Sequence, residues 1–503
     1  MIAKIFTPAF SGIDVIKVSV EVMISSGLPK FLIVGLPDKA VSEAKERIQS
    51  AFSAMGFSLP AKRIIVNLAP ADVVKEGSHF DLPIAMAILT ALGVIPNEEI
   101  IRYMILGELG LDGMVKPVNG ILPAAVNANA MDLGIICPES QVSQALWAGN
   151  KDVLGASSLI SLINHFKGTQ IIVNEMTPPV FDEKYNVDMI EIKGQEMARK
   201  ALEIAAVGGH HMLMIGPPGV GKSMLASRLP TILPPMTAKE ALEISTINSV
   251  AGLLGDKGLC ITRPFRAPHH TASQVALTGG GIHAKPGEVS LAHNGILFLD
   301  ELPEFSSSAL DSLRQPLETG VVSIARANGH ITYPAKFQLI AAMNPCKCGH
   351  FGDPNHACSS APLCALKYQN RISGPLYDRI DLTVEVENIN PWDLDKIKAS
   401  DDSKTIRQRV IEARLFQSAR LKKLYNIDNL LNSNLSGKQI EESANIIPEA
   451  MELLTKSAEK LKLSARGYYK TMRVARTIAD MEQRDIVIPS DISMALSFRR
   501  KAL

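Results

Sequence analysis

Residues 211 to 230 read HMLMIGPPGVGKSMLASRLP. The apolar run His211 to Ile215 suits a short buried strand. Gly216, Pro217, Pro218, Gly219, Val220, Gly221, Lys222 and Ser223 follow as a loop, and a helix is expected from about Met224. Strand, glycine-rich loop and helix in that order make a phosphate cradle. Glycines let backbone N–H groups converge on phosphate oxygens, and the helix N-terminus adds a favourable dipole. Lys222 is expected to reach the β- and γ-phosphates of a nucleotide and Ser223 to hold Mg²⁺. The alternative, a glycine-rich surface turn, leaves the complete spacing and its flanks unexplained.

About eighty residues downstream, Asn294-Gly-Ile-Leu-Phe-Leu-Asp300-Glu301 reads as a buried strand ending in two carboxylates. Asp300 suits the metal side of the site with Ser223, and Glu301 suits a base that polarises an attacking water. Phe337 to Asn344 is another apolar strand with Asn344 at its tip. There a polar side chain can orient that water, or simply form a turn. Arg371 to Asp381 (RISGPLYDRID) places Arg379 before the strand DLTVEV, as a surface charge or as an arginine finger reaching another subunit's γ-phosphate.

The chain has 503 residues, enough for two or three domains. Its 46% hydrophobic and 20% charged composition is that of a globular protein. Lys plus Arg number 52 and Asp plus Glu 51, a net charge of +1, so any DNA-binding surface must be local. The longest apolar stretch, Leu82 to Pro96, is shorter than the roughly 20 residues that cross a bilayer. The opening MIAKIFTPAFSGID, broken by Asp14, does not read as a secretory signal. A cytoplasmic protein with no membrane partner is expected.

Four of the six cysteines, Cys346, Cys348, Cys358 and Cys364, lie within nineteen residues. In a reducing compartment such a cluster suggests metal before disulfide. It is a candidate four-thiolate Zn²⁺ site, with His350 and His356 as substitutes, although one intervening residue is fewer than the usual pair spacing. The alternative is four reduced cysteines in a loop.

Short β-rich runs, Lys30 to Leu36 and Arg63 to Ala69, alternate with helical segments such as Asp38 to Met55. The last hundred residues are rich in Leu, Ala, Lys and Glu at helical spacing, with breaks at Pro448 and Pro489. The expected division is an α/β domain over 1–167, a linker over 168–190, a P-loop core with a parallel sheet over 191–395, and a helical lid over 396–503.

A series of motifs carries a resemblance that spans essentially the whole chain. In order they are GLPDKAVSEAKERI (Gly35 to Ile48), NLAPADVVKEGSHFDLPIA (Asn67 to Ala85), GQEMARKALEIAAVGGHHMLMIGPPGVGKS (Gly194 to Ser223), RPFRAPHHTAS (Arg263 to Ser273), GILFLDELPEF (Gly295 to Phe305), NPCKCGHFGDP (Asn344 to Pro354) and SGPLYDRID (Ser373 to Asp381). Together they resemble the magnesium-chelatase-like AAA+ ATPases, and within them the YifB or competence protein ComM family. The resemblance implies an ATP-hydrolysing, Mg²⁺-dependent hexameric ring, with ATP at subunit interfaces. Asn344 would be sensor 1, Arg379 the finger acting in trans, and Arg466 sensor 2 on the lid. Arg473 and Arg476 share that helix and compete for the last role. Gln195, after Gly194, would lie near the adenine.

The N-terminal part resembles the domain shared with Lon proteases, whose dyad is a serine and a lysine. Here the nucleophile turn is replaced by EGSHFDLP, with Ser78 displaced, and the lysine position falls near Ala124 with Lys116 upstream. A hydroxyl needs its base within hydrogen-bond reach, so a non-proteolytic domain is expected.

The resemblance further implies a DNA motor, a helicase driving branch migration of incoming DNA during natural transformation. The local candidates for contact with branched or single-stranded DNA are Arg263, Arg266, His269, His270, His283 and Lys285, with Arg326 and Lys336 around the next hairpin. The competing reading is an ATP-driven protein-remodelling or metal-chelatase motor subunit.

Overall fold

The computed structural model describes residues 2–174, 185–254, 258–281, 284–326, 329–349, 351, 361–388, 392, 401–427 and 429–499. Cys358, His283, His350 and His356, named above, lie outside these, as does the side chain of Arg326. The chain divides into two compact units, and neither is contiguous.

The first unit comprises Met1–Asp182, Thr237–Ile261 and Ala325–Tyr333. Its seven strands run, edge to edge, Lys30–Val34, Arg63–Ala69, Asp14–Ser25, Ile2–Ser11, Tyr103–Ile105, Gly134–Pro138 and Val153–Ala156. The sheet is mixed: Ile2–Ser11 pairs antiparallel with Asp14–Ser25 and parallel with Tyr103–Ile105. In Asp14–Ser25 the buried Val18, Val20 and Val22 alternate with more exposed residues, the period of a strand with one face on the core. The helix Asp81–Ala91 is buried at every residue. From Leu82 to Leu89 its sequence therefore shows an unbroken apolar run and no amphipathic stripe. Its one carboxylate, Asp81, accepts from Arg47 Nε at 2.6 Å and Nη2 at 2.9 Å. That pairing offsets the cost of burying the charge.

The segment 237–261 enters this unit through the helix Ala238–Ala251, opened by a reciprocal cap between Thr237 and Glu240. Gly120 N–H donates to Ser249 O at 3.1 Å, tying this helix to the start of Ile121–Ala130. Ser78 Oγ donates to a carboxylate oxygen of Glu108, Lys116 is exposed, and Ala124 is buried within Ile121–Ala130.

The second unit comprises Glu183–Met236, Thr262–Ile324 and Pro334–Leu503. Its five strands lie in the order Phe265–Arg266, Ile296–Leu299, Gln338–Met343, Met212–Ile215, Leu382–Glu385, and every pairing is parallel. Their near-continuous apolar sequences are those of strands covered on both faces. The strand Met212–Ile215 sits between Gln338–Met343 and Leu382–Glu385, which brings the ends of three sequence-distant strands to one edge. Helices follow from Ser403, and both prolines read as breaks stand at helix starts, in Pro448–Lys460 and Pro489–Ser497. The first helical position is where a missing N–H costs nothing.

A buried polar network ties the helix Ala465–Met481 to this sheet. His210 Nδ1 lies 3.2 Å from Asp381 Oδ2 and its Nε2 2.8 Å from Thr477 Oγ1. Asn432 donates to Thr477 and Asp480, and Arg420 and Arg476 close on the same Asp480. His210 beside it holds the Asp381 carboxyl below the usual carboxylate range against the opposing effect of burial. Among the described residues no helix is long and apolar enough to cross a membrane.

Candidate nucleotide site

The loop Gly216 to Gly221 leaves the central strand and enters the helix Lys222–Ile232. A Cβ on Gly216 would stand 2.2 Å from Val386 O, so only glycine lets the loop pass the neighbouring strand end. Gly221 takes φ +91° as the helix cap, a conformation open to glycine. Lys222 is buried at 8% exposure, and its Nζ donates to Gly216 O at 2.7 Å, Pro217 O at 2.8 Å and Asn344 Oδ1 at 3.1 Å. Burial lowers its pKa, and the nearby Asp300 and Glu301 oppose that shift.

Ser223 Oγ donates to Asp300 Oδ2 at 2.7 Å. Asp300 also accepts the Glu301 N–H at 2.9 Å, which fixes its carboxylate across the strand end. Glu301 follows with φ +50°, left-handed and uncommon for a side chain other than glycine. Its Oε2 lies 3.3 Å from His270 Nδ1. The structure thus gathers Lys222, Ser223, Asp300, Glu301 and Asn344 at one edge of the parallel sheet. Gln195, also left-handed, donates through Nε2 to Glu387 O at 2.6 Å, beyond the end of the neighbouring strand.

A hydroxyl beside a carboxylate is a hard-oxygen donor pair suited to Mg²⁺. A lysine held by backbone carbonyls at the mouth of a glycine loop can exchange them for phosphate oxygens. The donor set therefore fits a magnesium–nucleotide complex.

The other residues read from the sequence have different surroundings. Arg379 is ion-paired with Glu318, and Arg466 Nη1 lies 3.8 Å from Asp378. Arg476 is fully buried on Asp480 and on carbonyls of Ala444 and Asp485, so it is a structural brace and unsuited to touch a nucleotide. Arg263 is 8% exposed and donates to Pro234 O and Asn294 O, while Arg266 grips Glu288 at 2.6 and 2.8 Å. Arg263 is thus buried on backbone carbonyls and is not displayed for DNA, whereas Arg266 stays part-exposed while paired with Glu288. His270 faces Glu301, with the His269 ring beside it, tilted by 33° at 4.1 Å between ring centroids. Lys285 and His269 are exposed, as is Lys336.

Cys346 and Cys348 lie with their sulfurs 3.1 Å apart, closer than the about 3.8 Å expected of two thiolates on one tetrahedral zinc. Among the described residues no group of three or more His, Cys, Asp or Glu side chains could hold a metal ion.

The P-loop, the acidic strand end and the polar tip of Gln338–Met343, set on an all-parallel sheet with a helical C-terminal region, define a P-loop ATPase fold of the AAA+ type. Family models agree along the chain: magnesium chelatase subunit ChlI matches residues 188–394, with subunit ChlI of Mg-chelatase over 20–141 and the ChlI C-terminal model over 400–499. Competence protein ComM of Haemophilus influenzae is 40% identical over 99% of this chain and 97% of its own. The uncharacterized protein YifB of Salmonella typhimurium is also 40% identical, over the same shares, and that of Escherichia coli is 39% identical over 98% and 96%. The chain belongs to the YifB/ComM family of magnesium-chelatase-like AAA+ proteins.

Proposed function

We propose that this protein is an ATP-hydrolysing ring motor that acts on DNA, a branch-migration helicase serving recombination of incoming DNA. The observation that carries the ATPase reading is the cluster of Lys222, Ser223, Asp300, Glu301 and Asn344. In this reading Lys222 gives up the carbonyls of Gly216 and Pro217 for β- and γ-phosphate oxygens. Ser223 and Asp300 would hold Mg²⁺, which supplies positive charge to those oxygens when bound. Asn344, already on Lys222, orients a water, and Glu301 takes its proton as it attacks the γ-phosphorus. Arg379 acts on a neighbouring protomer's γ-phosphate in a hexamer, and exposed Arg466 serves as sensor 2.

The DNA reading is supported by the 40% identity to a competence protein across nearly the full chain. Exposed Lys285 and Lys336, with Arg326, are its contact candidates, and His269 is a further one. The N-terminal unit is read as non-proteolytic, because Ser78 is bonded to a carboxylate and has no lysine partner there. Of the zinc set, Cys346 and Cys348 stand together and Cys358 lies outside the described residues, so no step is assigned to zinc.

Steady-state ATPase assays with and without single-stranded and branched DNA test this directly. Wild type should hydrolyse ATP faster with DNA, and Glu301→Gln should lose at least about a hundredfold in kcat while still binding ATP. ATP turnover indifferent to every DNA would favour the protein-remodelling or chelatase-type reading instead.

A further inference from the structure

Arg379 can serve another subunit only if it leaves the contact it makes in its own chain. That contact is an ion pair with Glu318, an exposed carboxylate in the last turn of the helix Arg314–Thr319. Burial is the main influence lowering the Arg379 pKa, and the charges of Arg466 and Arg314 push the same way. Its Nε is buried and has no hydrogen-bond partner. The guanidinium is thus under-satisfied where it stands, among like charges, and Glu318 is the acid that holds it.

Glu318 is coupled to a second element. The helix ends at Gly320, φ +69°, and the strand Val321–Arg326 of the two-stranded hairpin begins at the next residue. Thr319 Oγ1 donates to Val321 O at 3.1 Å, and Gly320 O accepts Ala335 N–H at 2.8 Å from just past the returning strand Gly329–Pro334. Both limbs of the hairpin base are therefore clamped to the turn that carries Glu318.

We propose that Glu318 is a latch on Arg379, released when DNA loads the strands Val321–Arg326 and Gly329–Pro334. This rests on the reading of Arg379 as a finger acting in trans. In the absence of DNA the latch keeps the guanidinium on its own surface and ATP turnover low. DNA on the hairpin draws Glu318 away and frees Arg379 for the adjoining protomer's phosphates.

The test compares Glu318→Gln, Glu318→Asp and Glu318→Gln/Arg379→Ala in the full chain. Glu318→Gln should raise the DNA-free kcat about two- to fivefold, the range open to a partly exposed ion pair. KM for ATP and the DNA-saturated rate should not change. Glu318→Asp should restore the low rate in part, and the double variant should show no gain. A fall in both rates would mean that Glu318 holds the finger in its working pose, and no change would mean an inert pair; either overturns the latch. Assembly with a non-hydrolysable ATP analogue, followed by sedimentation, gives a readout that needs no turnover. The latch predicts rings at lower protein concentration for Glu318→Gln than for wild type, and equal concentrations contradict it. Wild type that neither hydrolyses ATP nor responds to DNA would sink the motor reading, whatever the sedimentation shows of the latch.

Discussion

Glu301 stands in a left-handed backbone conformation immediately after the strand Ile296–Leu299, with His270 3.3 Å from its carboxylate. Strain of this kind costs on the order of 1–3 kcal/mol and persists where surrounding contacts enforce it. If His270 positions this base, His270→Ala should lower kcat on the order of tenfold by letting the carboxylate wander. ATP affinity, read by equilibrium binding, should be unchanged. A drop in affinity with kcat intact would assign His270 to nucleotide binding. Lys222→Ala should instead abolish ATP binding, because the phosphates lose their only buried cation in the loop; retained micromolar binding would contradict that role. The loop and the acidic pair were legible in the sequence because their chemistry is contiguous there. The partner of His270 was not: the motif RPFRAPHHTAS shows basic residues, and only the pairing of Phe265–Arg266 with Ile296–Leu297 carries the chain toward Glu301. The same limit hid the burial of Arg263, since spacing does not reveal that a charge ends on backbone carbonyls.

At the scale of elements, the lid helix Ala465–Met481 shows how one sequence pattern holds two kinds of arginine. Arg466 is exposed at its first turn, while Arg476, two to three turns on, is enclosed with Asp480. Removing one member of a buried pair strands the other charge in low dielectric. Asp480→Ala should therefore destabilise the second unit by about 3–5 kcal/mol, measured by denaturant unfolding, because Arg420, Arg476 and Asn432 all converge on it. Arg466→Ala should leave that midpoint in place and alter ATPase kinetics alone. Equal loss of stability in both would contradict the division of labour. Helical spacing announced this helix, but it cannot separate these arginines, whose burial is fixed by the distant Asn432 and Arg420.

At the scale of the whole molecule, the sequence's alternation of strands and helices foretold both α/β sheets but not the interleaving of the units. Ser249 meets Gly120 across 128 intervening residues, a contact that no periodicity records, so the place of 237–261 in the first unit came only with the structure. The stability of that unit carries a pH signature. Burial lowers the pKa of His79 to about 4 from 6.5, although its Nε2 bond to Pro8 O pulls the other way. Between these values the unfolded chain binds a proton that the folded chain refuses. His79 therefore contributes stability in full above pH 6.5 that is lost as pH falls toward 4, on the order of 3 kcal/mol. Denaturant midpoints across that range should fall for wild type and flatten for His79→Gln; parallel curves would remove His79 as the cause.

The motor reading as a whole stands or falls on movement of DNA strands. Branch migration of a labelled three-strand DNA substrate at saturating ATP, wild type beside Glu301→Gln, tests it most directly. A DNA motor gives ATP-dependent product with wild type and none with Glu301→Gln. Wild type that hydrolyses ATP yet leaves the strands in place would contradict it.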